Sequence, residues 1–256
     1  MNYIVTGATG AIGSAAVKML CQQGHHVIGT SRRAELEGLY SLDVSSADSI
    51  EAFSQRLESD GIRIDGLLNN AGAMHRDYGV TSEGFERVLA TNYLGTYRLT
   101  RRLLPLMNPG ARVVNTVSLS CYVAKLNRDF FNQGPQKYRQ IQAYADSKMA
   151  VMLFAEELQK RYGNQIQVRL TDPGIVNSRM IHMDRWFDPI ADAIFRPLCK
   201  TPEAGAIPAV NALNHTAVES DIQLFRGQKH SNIPSHWIKP QLATWLWDET
   251  EKILGL

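Results

Sequence analysis

The sequence is poor in cysteine and carries no excess of either charge. Its three cysteines, Cys21, Cys121 and Cys199, are too few and too widely spaced for a disulfide framework or a paired-cysteine metal site. Lysine and arginine number 27 and aspartate and glutamate 25, so the formal net charge is +2, and no long run of one sign occurs. This balance predicts neither a nucleic acid nor a charged membrane surface as a partner.

Long hydrophobic runs are also missing from the sequence. No apolar stretch reaches the roughly 20 residues that a membrane-spanning helix needs. The chain opens directly on the strand-like residues 1–5, which leaves no space for a signal peptide ahead of the fold. We therefore expect a soluble protein of a reducing cytoplasm. The seven histidines show no ligand spacing, so we expect no metal site.

Short apolar runs alternate with longer segments of helical periodicity. The strands predicted from this pattern are 3–5, 26–29, 66–68, 112–116 and 167–170, and the predicted helices are 11–23, 46–59, 85–107 and 144–162. The alternation predicts an α/β fold, a doubly wound parallel sheet (Rossmann fold) with helices on both faces. No linker interrupts it, so residues 1–256 are expected to form a single domain. Such sheets bind ligands beyond the carboxyl ends of their strands, which directs attention to the residues after each run.

A glycine-rich turn follows the first predicted strand and opens the first helix. Glycines three residues apart permit a tight turn and let backbone N–H groups approach a pyrophosphate at the positive end of the helix. An ordinary strand-to-helix turn is the alternative, but the position directly after the first strand favours dinucleotide binding. The residues of the turn that we predict to bind the cofactor are Gly7, Thr9, Gly10, Ala11, Ile12 and Gly13.

With this turn, the sequence resembles the short-chain dehydrogenase/reductase superfamily, and later motifs continue the resemblance. Asp43 and Val44 resemble the adenine-contacting acid of the family and its neighbour, and residues 69–72 match its Asn-Asn-Ala-Gly element. Residues 173–178 are similar to the proline-glycine segment that packs against nicotinamide. The resemblance implies that the cofactor is contacted by Asp43, Val44, Asn70, Ala71, Gly72, Pro173, Gly174, Val176 and Ser178.

The end of the second predicted strand indicates which nicotinamide cofactor is bound. An acid at this place binds the ribose 2′-hydroxyl of NAD, whereas a basic group accommodates the 2′-phosphate of NADP. Here the strand ends in Ser31, Arg32 and Arg33, without an acid. A guanidinium offers the 2′-phosphate a charge-assisted hydrogen bond, although two arginines could also only solvate a loop. We predict NADP(H), with Arg32 as the main contact and Ser31 as a second.

Tyr144 and Lys148 are four residues apart, on one face of a predicted helix. A phenol has a pKa of about 10, and we expect the Lys148 ammonium to lower it towards the range of general acid–base catalysis. Tyr-x-x-x-Lys is a common pattern that only its context identifies as catalytic. The resemblance implies that Ser118 hydrogen-bonds the reacting oxygen and that Asn92 kinks a helix and holds a water in the proton relay. It also implies that Tyr144 and Lys148 contact the cofactor.

Ser118 and Tyr144 are 144 − 118 = 26 residues apart, and this long insert is similar to that of the retinol-dehydrogenase-like branch. The resemblance implies an NADP(H)-dependent oxidoreductase that interconverts a carbonyl and an alcohol on a small, lipophilic substrate, with Tyr144 as the acid and base. The insert and residues 177–200 and 228–240, where the resemblance is weakest, are expected to form the substrate pocket. Two alternatives remain: a non-catalytic NADP(H)-binding sensor, and a sugar-nucleotide epimerase or dehydratase, which the spacing of Gly7, Gly10 and Gly13 favours.

The helix that begins at Tyr144 also bears on the oligomeric state. Many members of the family that the sequence resembles pair through this helix to form homo-oligomers. Its apolar residues Met149, Met152, Leu153 and Leu158 could serve either the core or a partner subunit. The insert could instead cover the same face and leave a monomer.

Overall fold

One mixed sheet forms the centre of the computed structural model, which describes residues 1–32, 38–176, 199–218 and 220–256. Its strands are β1 (Asn2–Val5), β2 (His26–Ser31), β3 (Tyr40–Ser41), β4 (Ile64–Asn69), β5 (Met107–Thr116), β6 (Ile166–Asp172), β7 (Gln223–Arg226) and β8 (Lys229–Asn232). The strand order is β3-β2-β1-β4-β5-β6-β7-β8. All neighbours pair in parallel except β7 and β8. The predicted doubly wound fold is confirmed.

Helices cover both faces of this sheet. They are α1 (Ala11–Gln22), α2 (Ala47–Ser59), α3 (Arg87–Leu89), α4 (Gly95–Leu103), α5 (Gln140–Tyr162), α6 (Pro202–Asn214) and α7 (Pro240–Leu254). Helices α1 and α6 pack together on one face, and α2, α4, α5 and α7 pack on the other. Within the described ranges, no helix combines the length and the apolarity needed to cross a bilayer.

Alternation of side chains along the strands produces a separate core on each face. Tyr3 and Val5 of β1 point to the α1–α6 face, whereas Ile4 points to the opposite core. Leu67 and Leu68 of β4 divide in the same way. Because successive side chains of a strand face opposite sides, a central strand covered on both faces must be apolar throughout.

The helix predicted over 85–107 is shorter and less regular than expected. It begins at Arg87, where the carboxylate of Glu86 accepts the N–H groups of Val88 and Leu89, each at 2.8 Å. A π-helical segment, Ala90–Leu94, separates α3 from α4. The helix ends at Leu103 because the next turn contains Pro105, which lacks a backbone donor, and Met107 already belongs to β5.

The C-terminal helix α7 closes one face of the molecule. Its Trp247 stacks on Phe154 of α5 with the ring centroids 5.8 Å apart and meets Tyr97 of α4 at 5.0 Å. Thr250 of α7 hydrogen-bonds the buried hydroxyl of Tyr93 at 2.6 Å. The four apolar residues of α5 that could have served a partner, Met149, Met152, Leu153 and Leu158, are buried in the core of the chain itself.

We predict that Trp247→Ala lowers the free energy of unfolding by about 3–5 kcal/mol, because it removes a large, fully packed side chain between α4, α5 and α7. The matched control is Trp245→Ala, since Trp245 lies on the same helix but is only half-buried. Urea denaturation followed by circular dichroism measures both variants. Equal losses in the two variants would show that the packing of Trp247 does not anchor α7.

Candidate active site

A cavity of about 930 Å³ opens at the carboxyl ends of the central strands. The predicted site residues that line it are Gly7, Thr9, Gly10, Ala11, Ile12, Gly13, Ser31, Arg32, Val44, Asn70, Ala71, Gly72, Ser118, Tyr144, Lys148, Pro173, Gly174 and Val176. The structure thus brings most of the predicted cofactor and catalytic residues to one cavity. Ser178 lies outside the described residues, as does Arg33.

Two predicted residues stand apart from the cavity wall. Leu42 and Val44 line the cavity, but the carboxylate of Asp43 between them accepts the backbone N–H and the hydroxyl of Ser45, at 2.9 and 2.7 Å. The Asp43 side chain is thus engaged in its own loop. Asn92 is buried behind the wall, and its neighbour Thr91 reaches the cavity in its place.

Part of the cavity wall carries no sequence motif. Besides Leu42 and Thr91, the wall residues that were not predicted are Ala73, Met74, Thr116, Val117 and Ile175. Each lies within two positions of a motif residue in the sequence. Proximity to the motifs was therefore the only signal that could have found them.

The glycine turn fits a dinucleotide pyrophosphate. Gly7 has a φ of 67°, a conformation that glycine adopts without strain, and a Cβ on Gly13 would lie 2.2 Å from the carbonyl oxygen of Gly7. No side chain caps the N-terminus of α1 at Gly10, and the first turn contains no acid. The first backbone N–H groups of a helix have no partner within it, so those of α1 are available to an anion.

Hydrogen bonds from Thr6 join this turn to the Asn-Asn-Ala-Gly element after β4. The Thr6 hydroxyl oxygen accepts the backbone N–H groups of Asn70 and Ala71, both at 2.9 Å. The Asn70 amide in turn donates to the Thr6 carbonyl at 2.9 Å. Asn69 has a different role, because its buried amide donates to Thr100 and Asn115 at 2.9 and 2.8 Å. These bonds fix β1 and β4 side by side where the strand order reverses.

Arg32 and Ser31 occupy the far end of the cavity, at the end of β2. Arg32 is exposed and lines the cavity. The hydroxyl of Ser31 is buried and lies 3.4 Å from that of Thr9 in the glycine turn. A cationic side chain and two hydroxyls therefore meet at the end of the strand where the sequence predicts the ribose phosphate.

Tyr144 and Ser118 are hydrogen-bonded to each other in the cavity wall. Burial raises the pKa of Tyr144 to about 12, and its hydrogen bond with Ser118 opposes this rise. Cys121 and Asp172 add smaller upward contributions to the same pKa. The phenol therefore remains protonated at neutral pH, as a proton donor must.

Lys148 does not lower the pKa of Tyr144 in this structure, which corrects the expectation from the sequence. Its Nζ atom lies 5.8 Å from the centroid of the Tyr144 ring and donates a hydrogen bond to the carbonyl oxygen of Thr116 at 2.9 Å. Burial lowers the pKa of Lys148 itself to about 8. Desolvation of both groups outweighs their mutual attraction, because each loses the water that would stabilise its charged form.

Asn92 lies in the π-helical segment and connects two parts of the site. Its side-chain oxygen accepts the N–H of Ala73 at 2.7 Å, and its amide donates to the Ala73 carbonyl at 3.0 Å and to the Ser147 hydroxyl at 2.9 Å. Ser147 donates in turn to the carbonyl of Tyr144 at 2.7 Å. The Asn92 side chain therefore joins the loop after β4 to the catalytic helix α5.

Most of the insert between Ser118 and Tyr144 packs away from the cavity. Phe130 and Phe131 pack on the ring of Tyr93, at 5.8 and 6.3 Å between centroids. Tyr138 donates from its hydroxyl to the carbonyl of His75 at 2.5 Å. In the described part of the chain, the cavity wall passes from Ser118 to Tyr144 without a residue of the insert. The expectation that the insert lines the pocket is therefore not met there.

Comparison with known proteins places this chain in a family. The model of the short chain dehydrogenase family matches residues 2–186. The chain belongs to this family and is an oxidoreductase of it. The family binds a nicotinamide dinucleotide and acts on small alcohols and carbonyl compounds.

The relatives confirm the resemblance to the retinol-dehydrogenase branch. Retinol dehydrogenase 11 of Homo sapiens is 31% identical, with 99% of this chain and 85% of the relative aligned. Polyprenol dehydrogenase of Homo sapiens is 35% identical over 82% of this chain and 71% of its own length. Among solved structures, an uncharacterised protein from Mycobacterium paratuberculosis has a TM-score of 0.77 at 25% identity, covering 98% of this chain and 92% of that one.

We predict that Lys148→Met stabilises the protein at neutral pH by up to about 3 kcal/mol, because the buried ammonium is desolvated on folding. Its pKa falls from 10.5 to about 8 on burial. The unfolded chain therefore binds more protons between these values, and wild-type stability should rise through this window relative to the variant. Urea denaturation at several pH values measures the difference. A stability difference that does not change with pH would contradict the prediction.

Proposed function

We propose that the protein is an NADP(H)-dependent oxidoreductase that interconverts a carbonyl and an alcohol on a small, lipophilic substrate. The observation that carries the proposal is the meeting of Ser118, Tyr144 and Lys148 in the cavity that the glycine turn also lines. A dinucleotide-binding sensor would need the turn but not the protonated phenol beside a serine hydroxyl.

Different residues of the cavity would hold different parts of the cofactor. The N–H groups at the start of α1 would bind the pyrophosphate, and Arg32 and Ser31 would donate hydrogen bonds to the ribose phosphate. Lys148 would hold the nicotinamide ribose through its ammonium. When bound, the reduced cofactor supplies a hydride to the carbonyl carbon of the substrate.

Tyr144 supplies the proton that completes the reduction. Because its pKa is raised to about 12, the phenol carries its proton throughout the neutral range. Ser118 hydrogen-bonds the substrate oxygen and stabilises the negative charge that develops on it. Tyr144 then donates its proton to that oxygen, giving the alcohol. In the reverse direction, the phenolate form of Tyr144, which is left after it donates its proton, accepts the proton that the alcohol releases.

Exposed apolar side chains support a lipophilic substrate. Ile175, in the cavity wall, is exposed by 65%. Leu119, Tyr122 and Val123 follow Ser118 in the sequence, outside that wall, and are exposed by 44%, 52% and 56%. The relatives named for retinol and polyprenol, both long apolar alcohols, agree with this choice.

We also propose that the protein acts in a reducing cytoplasm, on the basis of its free cysteines. Cys21 is an exposed free thiol and Cys121 a buried one. An exposed thiol persists in a reducing compartment and is oxidised readily outside one.

We predict that Tyr144→Phe lowers kcat about 10²–10⁴-fold, because the ring still packs but the proton donor is lost. NADPH binding, measured by titration, should survive. Tyr162→Phe is the matched control, since it removes the same hydroxyl at the other end of α5. NADPH oxidation in the presence of a panel of aldehydes and ketones provides the activity. Full reductase activity in Tyr144→Phe would sink the proposed mechanism.

Arg32 is predicted to set the choice of cofactor. Arg32→Ala should raise the Kd of NADPH about 10–100-fold, since one charged hydrogen bond is lost, and leave the Kd of NADH nearly unchanged. Arg56→Ala removes the same charge from the exposed surface of α2 and should alter neither constant. Calorimetric titration measures the Kd of NADPH and of NADH for the wild type and for both variants. Wild-type protein that binds NADH as tightly as NADPH would overturn the assignment.

A further inference from the structure

A buried carboxylate that the proposed mechanism does not use lies at the edge of the cavity. Asp172 is the last residue of β6, and only 3% of it is exposed. Its Oδ1 atom accepts the backbone N–H of Gly174 at 2.9 Å, and its Oδ2 atom accepts the Nε of Arg226 at 3.2 Å. One carboxylate therefore joins a turn of the cavity wall to the neighbouring strand β7.

The turn that Asp172 contacts is part of the predicted cofactor site. Pro173, Gly174 and Ile175 all line the cavity. Gly174 has a φ of 73°, which residues other than glycine rarely adopt. Lys200 makes two hydrogen bonds to the rest of the turn. Its Nζ donates to the Pro173 carbonyl oxygen at 3.3 Å, and its backbone N–H donates to the Ile175 carbonyl oxygen at 2.9 Å. The bond from Gly174 to Asp172 holds the centre of the turn.

Pairing with Arg226 lowers the free-energy cost of burying the Asp172 carboxylate. Asp172 and Arg226 are direct neighbours in the parallel pairing of β6 and β7. The guanidinium also lies 5.7 Å from the ring centroid of Trp237, which limits its freedom. A buried carboxylate without a partner would be strongly destabilising, whereas a paired one keeps its charge and its orientation.

We propose that Asp172 is a positioning residue, which Arg226 holds in place and which keeps the Pro173–Gly174 turn in the shape that the dinucleotide contacts. The proposal rests on the proposed binding of a nicotinamide dinucleotide. It assigns to Asp172 a role in cofactor affinity and not only in the stability of the fold. The role requires an acceptor atom for the Gly174 N–H and does not require a charge.

Two variants separate the acceptor from the charge. Asp172→Ala removes the acceptor, whereas the double variant Asp172→Asn with Arg226→Gln keeps an oxygen for Gly174 and removes both charges. We expect Asp172→Ala to raise the Kd of NADPH about 10-fold, which is the effect of one lost hydrogen bond. The Kd of the double variant should stay within about 3-fold of the wild-type value. Amide hydrogen exchange of the ligand-free protein should show faster exchange at Gly174 in Asp172→Ala alone.

Glu157→Ala is the matched control. Like Asp172, Glu157 is a buried carboxylate, with 2% exposed, and it is paired with the cations Lys160 and Arg161. It lies on α5, at the end remote from Tyr144. It should lower stability without changing the Kd of NADPH or the exchange of Gly174. All titrations are carried out below the unfolding temperature of the least stable variant.

An unchanged Kd in Asp172→Ala, or a Kd raised equally in the double variant, would overturn the positioning role. So would unaltered exchange at Gly174 in Asp172→Ala. Wild-type protein that binds neither NADPH nor NADH would instead overturn the proposed function, and this inference with it. The two failures are therefore distinguishable from the wild-type titration alone.

Discussion

Parallel pairing of β1, β4, β5 and β6 is the constraint on which the site depends. Because these strands run in one direction, their carboxyl ends stop at one edge of the sheet, and the residues that follow them converge there. The glycine turn, the Asn-Asn-Ala-Gly element, Ser118 and the Pro173–Gly174 turn come from four different parts of the sequence. They share a cavity only because the strands share a direction and an edge.

The site is assembled from groups that are unfavourable to bury. Lys148 is fully inside the protein with a lowered pKa, and Tyr144 has its pKa raised by the same loss of water. The surrounding network holds these groups in place: Lys148 binds the Thr116 carbonyl, and Asn92 and Ser147 fix the backbone at Tyr144. Burying these groups on α5 lowers the stability of the fold, although the proposed chemistry needs them. The packing of α7 against α5 contributes stability that offsets part of this loss.

Much of this could be predicted from the sequence, because the motifs lie where the hydrophobic pattern ends a strand or begins a helix. The parallel fold and most residues of the cavity wall were predicted in this way, whereas the retinol-dehydrogenase branch was predicted from the family resemblance and the length of the insert after Ser118. The helix was predicted to begin at residue 85, but α3 begins at Arg87. The side chain of Glu86 caps the helix there, and hydrophobic periodicity contains no information about such a cap. The π-helical turn at Asn92 was foreseen only as a kink, through the resemblance.

The residue types that follow each strand can be read from the sequence, and they were enough to predict the family and the fold. How the side chains of the cavity behave depends on the packing around them. Spacing along a helix placed Lys148 near Tyr144 but did not reveal that desolvation would outweigh their attraction, since burial depends on every element packed around them. The partnership of Asp172 with Arg226 was likewise invisible, because it joins residues 54 positions apart through the pairing of β6 with β7.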